Sequence, residues 1–249
     1  MNEKFKPFDA RSAWNELAEG YEHHRLLSDS LDTLVEWLAQ IHFVRDVRDK
    51  SILDLGCGSG AKALYFAEHG AKSVLGLDIS DEFIGGWEAK GKPSNLHFIR
   101  TDINQLGECK ELKGCQFDLI LGFQVMGYAH DERQALRSMR ELLTEDGIII
   151  VMASSPIRMA VEARNKTVTT LNSDGVDLVC YPSRWNPSVI LQHRRSTLSQ
   201  RLNAIAESGL HLAEAFEPEF PGHFRNKYPE KAHWWDEHGG VILYRLEKR

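Results

Sequence analysis

Apolar and polar positions alternate between two periods along most of the chain. Short apolar runs, Ser51 to Leu55, Lys72 to Ile79, Asn95 to Ile99, Phe117 to Leu121 and Ile148 to Met152, suit strands buried on both faces of a parallel sheet. Helical spacing separates them: Ala61 to His69 follows the first run, and Asp131 to Leu143 sets Leu136, Met139, Leu142 and Leu143 on one face with charge on the other. Strand and helix therefore alternate from residue 51 to 152, and right-handed crossovers predict a parallel sheet with helices on both faces. Upstream, Asp9 or Ser12 caps a helix through Trp14, Leu17 and Ala18, and Ser30 caps a second from Leu31 to Leu38.

The alternation stops between Ser154 and Arg195. Thr167 to Leu171 and Val176 to Tyr181 flank Asn172-Ser173-Asp174-Gly175, which reads as a β-hairpin, and a third strand runs through Val189-Ile190-Leu191. An insertion after the fifth strand sits above the carboxyl edge of the sheet, where open α/β sheets bind ligands, so segment 154–195 is expected to be a substrate lid. A helix from Thr197 to Ser208, ended by Gly209, then leads to two strands, Leu210 to Phe216 and Gly240 to Leu246. The linker between them carries Phe224, Tyr228, Trp234 and Trp235; a pocket wall and packing against the sheet both suit these rings.

The chemistry concentrates where the first strand breaks into Gly56-Cys57-Gly58-Ser59-Gly60. Glycines there permit positive φ and bring a ligand against bare backbone. Gly56, Gly58 and Ala61 also satisfy the loose dinucleotide fingerprint. Asp54 separates the two readings. A carboxylate at that strand end opposes a pyrophosphate, yet suits a ligand that carries an ammonium or sulfonium group. Asp78 ends the second strand 18 residues after Gly60, near the distance at which a βαβ unit delivers an acid to a ribose, and a carboxylate accepts from both ribose hydroxyls. Ile79 beside it offers an apolar wall to a base. Asp102 is the third acid at a strand end.

The run Asp54-Leu55-Gly56-Cys57-Gly58-Ser59-Gly60 resembles the first motif of class I S-adenosylmethionine-dependent methyltransferases. That resemblance covers Ser51 to Met152, with weaker support from Trp14 to Tyr21 and from Arg195 onward. It implies a Rossmann-like, doubly wound α/β fold: a seven-stranded, mostly parallel sheet whose last strand enters antiparallel beside the fifth. It implies S-adenosylmethionine as cofactor, leaving S-adenosylhomocysteine, with Asp54, Gly56, Cys57, Gly58, Gly60, Asp78, Ile79, Asp102, Ile103 and Phe123 around it. Asp102 would accept from the adenine amino group while Ile103 packs on the base. The N-terminal helices, within 1–50, would lie across the cofactor pocket and bring Tyr21 near the reactive methyl. At the fourth motif the chain has Gly122-Phe123-Gln124-Val125 where methyltransferases of base amines and amides often carry Asn/Asp-Pro-Pro-Tyr/Phe. This departure points away from DNA and amide substrates, toward a small-molecule oxygen, nitrogen or carbon nucleophile. Where that nucleophile holds a proton, a base is needed; His130, after the fourth strand's loop, is best placed among 11 histidines, with His193 at the lid exit next.

Bulk properties narrow the picture. A chain of 249 residues with 42% hydrophobic and 27% charged residues suits one globular domain spanning 1–249. A formal net charge of -6 argues against a nucleic-acid partner. No run has the length of a membrane span, and the amino terminus lacks the core of a signal peptide, so a cytoplasmic monomer or homodimer is expected. Cys57, Cys109, Cys115 and Cys180 make neither a disulfide framework nor a zinc motif, and no metal is expected. Two other classes stay open: a nicotinamide-dependent oxidoreductase, which leaves Asp54 and the lid unexplained, and a non-catalytic S-adenosylmethionine-binding protein.

Overall fold

The computed structural model describes residues 8–87, 91–158, 169–173 and 176–249. Five strands form at the apolar runs: β1 (Ser51–Leu55), β2 (Ser73–Asp78), β3 (Leu96–Arg100), β4 (Phe117–Phe123) and β5 (Leu143–Ser154). A second, three-stranded sheet follows, made of β6 (Thr169–Ser173), β7 (Val176–Pro182) and β8 (Ile190–Arg194), each antiparallel to its neighbour. β9 (Leu210–Phe216) and β10 (Val241–Lys248) then return to the main sheet. Its order is β3-β2-β1-β4-β5-β10-β9. β1 to β5 pair in parallel, and β10 lies antiparallel to both β5 and β9. This is the doubly wound seven-stranded arrangement expected from the sequence.

Register explains the double burial. Leu53 pairs with Leu75 on β2 and with Ile120 on β4. Because successive side chains point to opposite faces, Ile52, Leu119 and Leu121 enter one core with Phe43 and Phe66, while Leu53, Leu55 and Ile120 enter the other with Leu136 and Met139. Helices cover both faces: α1 (Ala10–Arg25), α2 (Trp37–Val44), α3 (Ala61–Glu68), α4 (Asp81–Ile84), α5 (Glu132–Glu141) and α6 (Leu198–Glu207). Polar side chains start them. Asp9 accepts from the Ser12 amide, Asp131 from those of Arg133 and Gln134, and Thr197 with Gln200 closes a capping box. Ser30 accepts from the Thr33 amide at 3.0 Å, opening a π-helical turn (Asp32–Glu36) that runs into α2.

Three details depart from the sequence reading. α5 stops at Glu141 and β5 begins at Leu143, so Glu145-Asp146-Gly147 belongs to the strand; a register shift between Phe117 and Leu119 absorbs the extra residues. The third strand of the small sheet is Ile190–Arg194, shifted toward the exit. The linker between β9 and β10 folds into α7 (Gly222–Arg225) and α8 (Pro229–His238), with Phe220 and Trp235 buried against the sheet and the Trp235 indole N–H donating to the Pro218 carbonyl at 2.9 Å. Packing, the second of its two readings, is what these aromatics do. Residues 167–168 of the expected hairpin, and 174–175 of its turn, lie outside the described residues. Among the described residues no helix is long and apolar enough to cross a membrane.

The seat of Trp235 generates a paired expectation. A Cβ on Gly240 would stand 2.0 Å from the Trp235 ring, whereas one on Gly222 meets nothing within 4 Å. Gly240→Ala should lose about 1–3 kcal/mol in urea unfolding, and Gly222→Ala should stay level or gain up to about 1 kcal/mol. Equal stability of the two variants would contradict this packing.

Candidate functional site

Strand order reverses direction between β1 and β4, and a crevice opens beyond the carboxyl ends of such strands. A cavity of about 1010 Å³ occupies it. Gly56, Gly58, Asp78, Ile79, Asp102, Ile103 and Phe123 all line it. Asp54, Cys57 and Gly60 stand behind that lining. Cys57 is buried, with its sulfur aimed at the Cα of Gly76, where an added Cβ would stand 2.9 Å away. Gly60 takes φ +76° as the residue before α3, and a Cβ there would strike the Phe98 ring at 2.5 Å. Both shape the turn from behind.

Asp54 is 2% exposed, and its Oδ2 has no hydrogen-bond partner among the described residues. Its pKa is pushed up to about 7, by burial above all and also by the Asp78 carboxylate, against Lys62 and Arg25. A buried carboxylate oxygen without a donor is costly. Asp78 is also held above the ordinary carboxylate range by burial, against amide donation from Ser80 and Gly58. The Gly58 N–H donates to its Oδ2 at 2.8 Å and the Ser80 N–H to its Oδ1 at 2.9 Å. Each oxygen keeps a lone pair for a ligand. The helix cap at α4 is Ser80, not Asp78. Gly58 has φ +56°, and nothing stands within 4 Å of where its Cβ would be, so the backbone is bare toward the cavity. Asp102 accepts from the amide and side chain of Asn104. An orphaned carboxylate, a bare glycine and acids at three strand ends fit a cofactor that is cationic at one end and carries a ribose and a base.

The opposite wall is aromatic. Tyr21 on α1 meets Trp185 edge-on at 4.7 Å, and Trp14 lies 6.0 Å from both Trp185 and Tyr128. Trp185 belongs to the segment between β7 and β8, so α1 and the small sheet meet over the strand ends through rings. Burial raises the Tyr21 pKa well above its ordinary value, which keeps the phenol neutral.

The two candidate histidines stand in different surroundings. His130 lines the cavity with an exposed side chain, and its backbone is fixed by Asn104 and Arg194. His193 is enclosed: its Nε2 lies 3.1 Å from the Tyr128 hydroxyl and 2.8 Å from the Tyr181 hydroxyl. Burial, assisted by Arg158, lowers its pKa to about 4, so the imidazole is neutral at pH 7.

A charged network at the mouth of the glycine turn escaped the sequence reading. Arg25 bonds Glu22 at 3.1 Å and the Ser59 hydroxyl at 3.1 Å, Lys62 bonds Asp32 at 3.2 Å, and Arg158 faces Glu36 at 3.7 Å. Gln124 holds Glu36 from the end of β4 and has φ +62°, a strained conformation for a residue with a side chain. The only signal in the sequence was that Gln124 replaces the familiar polar signature at the fourth motif. Among the described residues, no group of three His, Cys, Asp or Glu stands close enough to hold a metal ion.

Comparison with known proteins agrees with this geometry. Residues 46–207 match a family model described as "Methyltransferase domain". The chain is 26% identical over 104 residues to a ubiquinone biosynthesis O-methyltransferase of Neisseria meningitidis, covering 42% of this chain and 44% of that one. It is 28% identical over 139 residues to a malonyl-[acyl-carrier protein] O-methyltransferase of Pseudescherichia vulneris, covering 55% and 50%. Thus it matches about half the length of each of these two relatives. In fold it is similar to an S-adenosylmethionine-dependent methyltransferase of Mesorhizobium loti, with TM-score 0.67 and 24% identity over 86% of this chain and 97% of that one. Glycine turn, strand-end acids, strand order and family match converge: the chain belongs to the methyltransferase-domain family and is a class I S-adenosylmethionine-dependent methyltransferase.

Proposed function

We propose that the chain methylates a small-molecule acceptor held between the strand ends and the small sheet, which serves as a lid. The observation that carries this reading is the wall where Trp14 and Tyr21 of α1 meet Trp185 at 4.7 to 6.0 Å. Enclosed, mostly apolar pockets of this kind suit small ligands. The net charge of -6 disfavours a polyanion. One relative is named for ubiquinone biosynthesis, which is in keeping with a metabolite-sized acceptor.

In this reading Asp54 pairs with the ammonium group of the cofactor, Asp78 accepts from its ribose hydroxyls, and Asp102 with Ile103 borders its adenine. Gly56 and Gly58 present bare backbone, and Phe123 closes the floor. When bound, S-adenosylmethionine supplies a methyl group already activated by a sulfonium. The protein's own work is positioning and water exclusion. Holding reactants at attack distance lowers a barrier by about 7–11 kcal/mol in favourable cases, and the rings of Trp14, Tyr21 and Trp185 keep water out. Tyr21 borders the acceptor as a neutral phenol. His193, enclosed between the Tyr128 and Tyr181 hydroxyls, holds a proton too weakly to serve as a base at pH 7.

Labelled methyl transfer tests the reading. Small phenols, amines and carboxylic acids should accept label and folded proteins or RNA should not; label confined to macromolecules would overturn it. Asp78→Ala should weaken S-adenosylhomocysteine binding more than tenfold by calorimetry, and unchanged affinity would remove the ribose role.

Asp54 gives a pH expectation. Its folded-state pKa of about 7 exceeds the unfolded value, so its contribution to stability is full below about pH 4 and is lost as pH rises through 7, at most about 4 kcal/mol. Ligand-free Asp54→Asn should therefore be more stable than the parent at pH 8 by about 1 kcal/mol or more, with the difference closing at pH 5. The same variant should bind S-adenosylhomocysteine at least tenfold more weakly.

A further inference from the structure

Six arginines line the cavity, and four of them face carboxylates: Arg11 faces Asp81, Arg25 Glu22, Arg158 Glu36 and Arg201 Glu132. Arg184, between β7 and β8, and Arg194, on β8, face none among the described residues. Arg184 is exposed and stands over the Trp185 ring at 5.9 Å. Arg194 is half-buried and gives one N–H to the His130 carbonyl at 2.7 Å; among the described residues the rest of its five-donor fork is unspent. Two residues before it, on the same face of β8 by strand alternation, Gln192 lines the cavity with a buried Nε2 that has no partner among the described residues. Leaving such a donor unpaired costs about 1–3 kcal/mol. A guanidinium and an amide N–H on one strand face ask for an anionic oxygen pair.

The enclosed histidine of the same cavity is not placed to take a proton from an acceptor. His193 is locked between two phenols at 3.1 and 2.8 Å and stays neutral. A carboxylic acid, already ionised at pH 7, needs no base.

Resting on the small-molecule reading above, we propose that the acceptor is an aromatic carboxylate, bound by Arg194 and Gln192 against the ringed wall, and that the product is its methyl ester. One carboxylate oxygen forms the new O–C bond as the S–C bond of the donor breaks with its electron pair moving to sulfur. Anion and sulfonium become neutral ester and thioether, and no proton moves. Arg194 and Gln192 hold the second oxygen, so the fork binds the acid without taking the attacking atom.

The test uses 2-naphthoate, 2-naphthamide and 2-naphthol as probes, titrated by tryptophan fluorescence into the full chain saturated with S-adenosylhomocysteine. Naphthoate should bind at least tenfold tighter than naphthamide. Arg194→Gln should bring that preference within twofold, and Gln192→Glu should reverse it. Both variants should keep S-adenosylhomocysteine affinity within twofold, which controls for folding. With labelled S-adenosylmethionine, naphthoate should take up label that mild alkali releases as methanol. Equal binding of acid and amide, a preference unmoved by either variant, or label that is absent from naphthoate or stable to alkali would each overturn the inference. Binding of naphthol and naphthamide without preference for the acid would leave the small-molecule reading standing, whereas no saturable binding by any probe would remove both.

Discussion

A carboxylate in the centre of the sheet, with one buried oxygen that has no hydrogen-bond partner among the described residues, is the constraint around which this chain is arranged. Asp54 sits on β1, the strand paired on both sides, and is 2% exposed. Such a group is tolerated only if something outside the fold completes it. The arrangement of neighbours makes the incompleteness deliberate in effect: Lys62 and Arg25, whose charges favour its ionised form, are committed to Asp32, Glu22 and Ser59. Cations thus stand near enough to make ionisation accessible and far enough to leave the oxygen free for a ligand.

Much of the frame was legible in the sequence because burial on both faces leaves a simple trace. β1, β2, β3 and β4 begin and end within a residue or two of the apolar runs that announced them, since a one-residue slip would turn charge into a core. The strand-end acids were legible for a related reason: a charged residue closing an apolar run breaks the pattern, and Asp54, Asp78 and Asp102 each did so. β5 was less legible at its start, because Glu145-Asp146-Gly147 has the chemistry of a turn and only its register against Phe117 keeps it in the strand.

Other parts depend on distance in space that no local pattern encodes. Tyr181 reaches His193 across the paired strands β7 and β8, but Tyr128 stands 65 residues away, and nothing in its flanks foretells that one ring nitrogen would sit between two phenols. The ion pairs around Glu36 and Asp32 join the π-helical turn to α3 and to residues beyond β5, three segments whose meeting is a product of topology. The tryptophans of α8 misdirect for the opposite reason. Aromatic density suggests a binding surface, but Trp235 and Phe220 are consumed in covering the sheet.

The place of β10 in the sheet also governs how the molecule is made. It lies between β5 and β9, although it is the last of these strands to be synthesised. Until it emerges, the edge of β5 that carries Ile148, Ile149, Ile150, Val151 and Met152 has no partner on that side, and β9 has no seat beside it. Between the emergence of β5 and that of β10, a nascent chain therefore carries an open apolar edge, the feature most prone to pairing with another chain. The pairing of β10 completes the sheet, and its residues Val241 and Leu243 join Phe220 and Trp235 in one core.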